Sequence, residues 1–146
     1  MFCSGLRPAA FSGGRSALSL DLFHGKWRVD MAANLFSLSN VTAHDDSREL
    51  FEAVLTGGDG LVVERIVSNG QTTPEGQWYD QDRDEWVAVL EGEARLGYDD
   101  GREITLRRGD HVFLPQHVKH RVTYTSRPCV WLAIFGRALR ESPEAD

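Results

Sequence analysis

Gly109 to His120, GDHVFLPQHVKH, is the stretch on which the fold of this chain turns. Gly109 and Asp110 are turn residues. His111 to Leu114 is a short apolar run of strand length, and Pro115, which lacks a backbone donor, ends it. His120 then opens a second run, with Val122 and Tyr124 at its own parity and so expected on its own face.

The same alternation of short runs and turn residues continues on both sides. Strands are predicted over Leu61–Val67, Glu85–Leu90, Ala94–Tyr98, Glu103–Leu106, His111–Leu114, His120–Thr125 and Val130–Phe135. Asn69-Gly70, Asp99-Asp100-Gly101 and Arg108-Gly109-Asp110 supply residues that accept positive φ between them. Short strands so closely spaced predict an all-β sandwich or barrel. Upstream, Asp45, Asp46 and Ser47 can cap a short N-terminal helix through Leu55, with Leu50, Val54 and Phe51 on one face and Gly57-Gly58 as its stop.

Bulk composition agrees with one domain. The chain has 146 residues, 41% of them hydrophobic and 26% charged, and 14 glycines, which favour turns over long helices. A net charge of -6 speaks against nucleic acid as a partner, because phosphate binding needs a clustered basic surface. Val130 to Phe135 is the longest apolar run, the length of a buried strand, so no membrane span is expected. Cys3 and Cys129 show no metal-binding or disulfide spacing and read as free thiols of a reducing, cytoplasmic compartment. Residues 1–30, rich in Ser, Gly, Ala and Arg, read as a disordered extension or a leader; Met31 is an alternative start. Residues 31–57 then form a helix or arm, 58–138 the β domain and 139–146 a tail.

Parity also places chemistry. Glu85 shares a face with Val87 and Val89, and His120 with Val122, so both point inward if the valines do. A buried carboxylate needs a partner. A divalent metal is one solution, and a direct Glu85–His120 contact is another. His120 could also be satisfied by a backbone carbonyl, and Glu85 by Arg121 or Arg95.

At this point the chain resembles the cupin superfamily, in its small single-domain (cupin 2) form. Gly109, Pro115 and His120 stand at the positions of the second cupin motif, with His117 where that motif usually carries Gly. Glu85 and Gly92, in EWVAVLEG, match the end of the first motif. The resemblance implies a single-domain, jelly-roll-like β-barrel that holds a small-molecule ligand, and it implies a homodimer, which would cover the apolar outer face of Trp86, Ala88 and Leu90. It also implies a divalent metal, iron, manganese, nickel or zinc, held by three His and one Glu. Two of those His are absent. One motif spacing puts Tyr79 and Gln81 in their places, the other Trp78 and Asp80, so the candidate metal ligands are Asp80, Gln81, Glu85 and His120. Oxygen donors in place of imidazole favour harder ions. Tyr79 and His117 are the candidate catalytic groups for moving a proton. The function expected is a small-molecule-binding cupin with metal-dependent dioxygenase or isomerase chemistry, or a metal-free, non-catalytic ligand sensor.

Overall fold

A computed structural model of the chain describes residues 32–38 and 48–142. The expectations for residues 1–30, for Met31 and for the capping residues Asp45, Asp46 and Ser47 lie outside the described residues. The fold below lies within the unit that begins at Phe36.

Among the described residues, eight antiparallel strands make two sheets. β1 (Leu50–Thr56), β2 (Val62–Ser68), β3 (Asp84–Glu91), β6 (His111–Leu114) and β8 (Cys129–Gly136) form the first, in the order β1-β2-β8-β3-β6. β4 (Glu93–Tyr98), β5 (Glu103–Arg107) and β7 (His120–Thr125) form the second, in the order β5-β4-β7. All seven strands expected from the sequence are present, because turn residues bound each one. The expected barrel is not closed. β6 ends one sheet and β7 the other, so the described residues form an open, jelly-roll-like double sheet. Pro115, just after β6, has no N–H with which to continue the ladder.

The expected helix through Leu55 is replaced by β1. Its sequence, LFEAVLT, has fair helix propensity, but pairing with β2 outweighs it: Leu50 lies opposite Val67 and Glu52 opposite Arg65. Arg65, 4% exposed, donates to a Glu52 carboxylate oxygen at 2.5 Å and to the Ser37 carbonyl at 2.7 Å, so burying β2's outer face depends on β1.

Between the sheets lies the core, built from Val87, Val89, Ala94, Leu96, Leu106, Leu114, Trp131, Ala133 and Phe135. Burial of each large side chain here contributes roughly 1.5–3 kcal/mol. Cys129 is buried with them, and its thiol is pushed up to about 12, chiefly by desolvation. The outer face of the first sheet is covered in part by the chain itself. Leu38 packs with Leu50, Val67, Leu90 and Val130. Residues 139–142 border a groove of about 480 Å³ over Trp86, His111, Phe113 and Ile134. No helix among the described residues is long and apolar enough to cross a membrane.

The register of β7 changes one expectation. Leu96 pairs with Val122 but Arg95 with Tyr124, so Thr123 is an extra residue. The bulge reverses parity beyond it. Tyr124 is 41% exposed and Thr125 is buried, whereas His120 and Val122, before the bulge, keep the inner face.

Candidate functional site

Two sheets bring the motif residues together. Glu85, the second residue of β3, lies opposite Leu114 and Phe135 on the inner face of the first sheet. His120, the first residue of β7, lies opposite Tyr98 in the second sheet. Glu85 is 8% and His120 6% exposed, and Glu85 Oε2 is 3.8 Å from His120 Nε2. That gap is too long for a hydrogen bond, yet it is short enough for one oxygen of a bound molecule to reach both.

His120 Nδ1 lies 2.9 Å from the Val118 carbonyl. A carbonyl only accepts, so Nδ1 carries the proton and the Nε2 of the neutral ring keeps a lone pair facing Glu85. Gln81 Nε2 donates to Glu85 Oε2 at 2.7 Å. Burial pushes the Glu85 carboxyl above its ordinary value, against the opposing pull of His120, of the Gln81 hydrogen bond and of Arg83.

The segment before β3 supplies the wall of the site. Tyr79 exchanges backbone hydrogen bonds with His120, 2.8 Å from Tyr79 N to His120 O and 3.3 Å in return. Its ring stacks on the imidazole at 5.5 Å and 24°. Burial foremost, with Glu49 and Glu85 adding, raises the Tyr79 phenol above its usual range; a Thr73 hydrogen bond opposes them. Thr73 N donates to the Val122 carbonyl and Thr125 Oγ1 to the Gln71 carbonyl, so residues 71–79 run along the free edge of β7. Pro74 interrupts that pairing.

Tyr79 and Gln81 reach the Glu85–His120 pair, while Asp80 and Trp78 turn away. Asp80 Oδ1 lies 3.0 Å from His117 Nδ1 in a pair exposed by about half or more, 47% and 67% for the two side chains. Trp78 is 38% exposed, with the Arg121 guanidinium 5.3 Å from its ring. His117 is held at φ 64, its N–H donating to the Gln81 carbonyl. Neither Arg121 nor Arg95 pairs with Glu85; Arg95 lies over Tyr124. His111 contacts Trp86 on the outer side.

Two inner residues were not singled out from the sequence. Glu64 shares the inner face with Glu85 through β8, since Val62 and Glu85 both lie opposite Phe135 and Glu64 lies opposite Ala133. Burial raises its carboxyl, with Glu85 adding and Arg83 opposing. The Arg83 guanidinium is 4.1 Å from the centre of the Phe135 ring. Parity carried both signals: Glu64 falls between Val62 and Ile66, and Arg83 between Gln81 and Glu85.

An open antiparallel double sheet with a buried Glu–His pair between its layers defines a small β-domain with its polar site between the sheets. The sequence profile of the cupin domain matches residues 62–135, and the chain belongs to that family. It is similar to a candidate mannose-6-phosphate isomerase of Ralstonia eutropha JMP134, with 40% identity over 74% of this chain and 99% of that one and a TM-score of 0.66. A cupin superfamily protein of Desulfitobacterium hafniense DCB-2 shares the fold at 18% identity, over 64% of this chain and 82% of that one, TM-score 0.55. So does the DMSP lyase of Ruegeria pomeroyi DSS-3 at 23% identity, over 68% and 54%, TM-score 0.53. No curated protein matches the chain.

The side chains present do not fit the three-His, one-Glu metal site that the family resemblance implies. Neither motif spacing supplies a further imidazole beside Glu85 and His120: Gln81 donates its amide to Glu85, and Asp80 is paired with His117. Among the described residues no three His, Cys, Asp or Glu side chains converge.

Proposed function

We propose that this cupin binds a small, oxygen-rich organic molecule between its sheets and moves a proton on it through Glu85 and His120, the chemistry of an isomerase. The observation that carries the reading is the buried Glu85–His120 pair, 3.8 Å apart, with burial holding the carboxyl toward its protonated form. One partner accepts a proton from a hydroxyl-bearing carbon beside a carbonyl, the electron pair moves onto the carbonyl oxygen, that oxygen takes the proton of the neighbouring hydroxyl, and the carbon-bound proton returns at the former carbonyl carbon as the second oxygen becomes the carbonyl. Gln81 orients the carboxyl, and the Tyr79 ring shields the imidazole from water. Similarity to the Ralstonia protein supports an isomerase over an oxygen-using enzyme.

The working unit in this reading is a cytoplasmic homodimer. Phe51, Val54 and Leu55, about half exposed on edge strand β1, support a second copy as their cover. Light scattering on the purified full chain tests the dimer.

A second reading is a ligand-binding sensor without catalysis, favoured by the absence of two motif imidazoles. The two separate in deuterium oxide. Sugars, sugar phosphates and hydroxy acids are incubated with the protein, and loss of the carbon-bound proton is followed by NMR. Proton transfer predicts exchange with the native chain, slowed on the order of 100-fold or more by Glu85→Gln. Saturable binding without exchange would establish the sensor instead.

A further inference from the structure

Several arginines of the described chain are held in ion pairs, and Arg83 is not. Arg65 is paired with Glu52, Arg102 with Asp100 and Arg107 with Glu93. Arg83 makes no ion pair or hydrogen bond with any described residue; its guanidinium sits against the Phe135 ring, centred 4.1 Å away. Phe135 is 7% exposed and lies directly opposite Glu85 in the β3–β8 ladder, which puts the guanidinium at the same inner layer as the Glu85 carboxyl. A partly buried guanidinium packed over an aromatic ring still presents its planar N–H fork for two parallel bonds to an oxyanion.

Resting on the proton-transfer reading of the Glu85–His120 site, we propose that Arg83 is the binding residue for an anionic group of the ligand, a carboxylate or a phosphate, placing the ligand's uncharged end against Glu85 and His120. The bland alternative is that Arg83 only balances Glu64 and Glu85, the acids that act on it. Neither carboxyl comes within ion-pair distance of the guanidinium among the described residues, so its N–H groups are open to a ligand. An ionised carboxylate disfavours an anion placed beside it, so the ligand charge sits on the Arg83 side and its hydroxyl or carbonyl on the carboxyl side. That polarity selects a molecule with charge at one end only.

The test is an NMR titration of the isotope-labelled full chain with inorganic phosphate, with glycolate and with neutral glycerol, following the Arg83 Nε–H signal. Phosphate or glycolate is expected to saturate that signal and glycerol to leave it unmoved; the tighter of the two anions names the group. Arg83→Gln is expected to weaken anion binding at least tenfold. Arg83→Lys keeps the charge without the fork, loses less, and controls for folding. Anion binding unchanged in Arg83→Gln, or no response of Arg83 to either anion, overturns the proposal. The two readings fail separately. Anion binding that survives in Glu85→Gln while no substrate exchanges its proton removes the catalytic reading alone. Proton exchange on a neutral sugar that Arg83→Gln leaves intact removes the anion site alone.

Discussion

Tyr79 and His120 are joined twice, by a reciprocal pair of backbone hydrogen bonds and by ring stacking at 5.5 Å. The backbone pair is independent of side chains, so substitutions at Tyr79 isolate the ring. Tyr79→Phe is expected to keep the stack and to lose only the phenol's hydrogen bond with Thr73, roughly 0.5–1.5 kcal/mol. Tyr79→Ala is expected to lose a further ~1–2 kcal/mol, from the aromatic contact and part of its buried area, read from the urea midpoint. Equal midpoints for the two variants would show that the stack contributes nothing.

The buried carboxyls predict how stability follows pH. Burial raises Glu85 and Glu64 above the ordinary carboxyl value of 4.5. Between that value and the raised one, the folded state keeps protons that the unfolded chain has released. Stability therefore falls as pH rises through the window, and the cost is fully present above it. Glu85→Gln removes one of these groups. The variant is expected to show a shallower decline from pH 5 upward, and to exceed the native chain in stability at about pH 8, measured by denaturant titration at each pH. A variant with the native slope would mean Glu85 ionises as freely folded as unfolded.

The donor set predicts weak retention of late transition metals. Protein purified without chelator is expected to carry well under one equivalent of iron, manganese, nickel or zinc by elemental analysis, with His120→Ala no different. Near-stoichiometric metal that disappears in His120→Ala would restore the metal site expected from the family motif.

Gly92, which closes the first cupin motif, predicts a structural lesion. It sits at φ +86, and a Cβ there would collide with the Ser126 hydroxyl and stand 2.5 Å from the Pro128 carbonyl. Ser126 already donates to that carbonyl and accepts from Glu93 N, so it has little room to move. Gly92→Ala is expected to cost about 2–4 kcal/mol, from left-handed backbone strain plus overpacking, read from the thermal midpoint. Gly101→Ala shares the strain at φ +86 but meets no atom within 4 Å, and is expected to cost distinctly less.

Much of this was legible in local chemistry. Turn residues bounded seven strands, and the two-residue period put Glu85 and His120 on inner faces, because each depends only on neighbours in the chain. What the same rules left open required pairing partners far away in sequence. β1 reads as a helix by propensity and becomes a strand because β2 offers an unpaired edge and Arg65 requires Glu52. Tyr124 turns outward because the slip between Arg95 and Leu96 is a property of two strands, invisible in one. The choice of Tyr79 and Gln81 over Trp78 and Asp80 came from the bridge between Tyr79 and His120. Sequence alone determined which residues alternate; tertiary structure decided which face of each alternation was buried, since burial depends on the element that arrives to cover it.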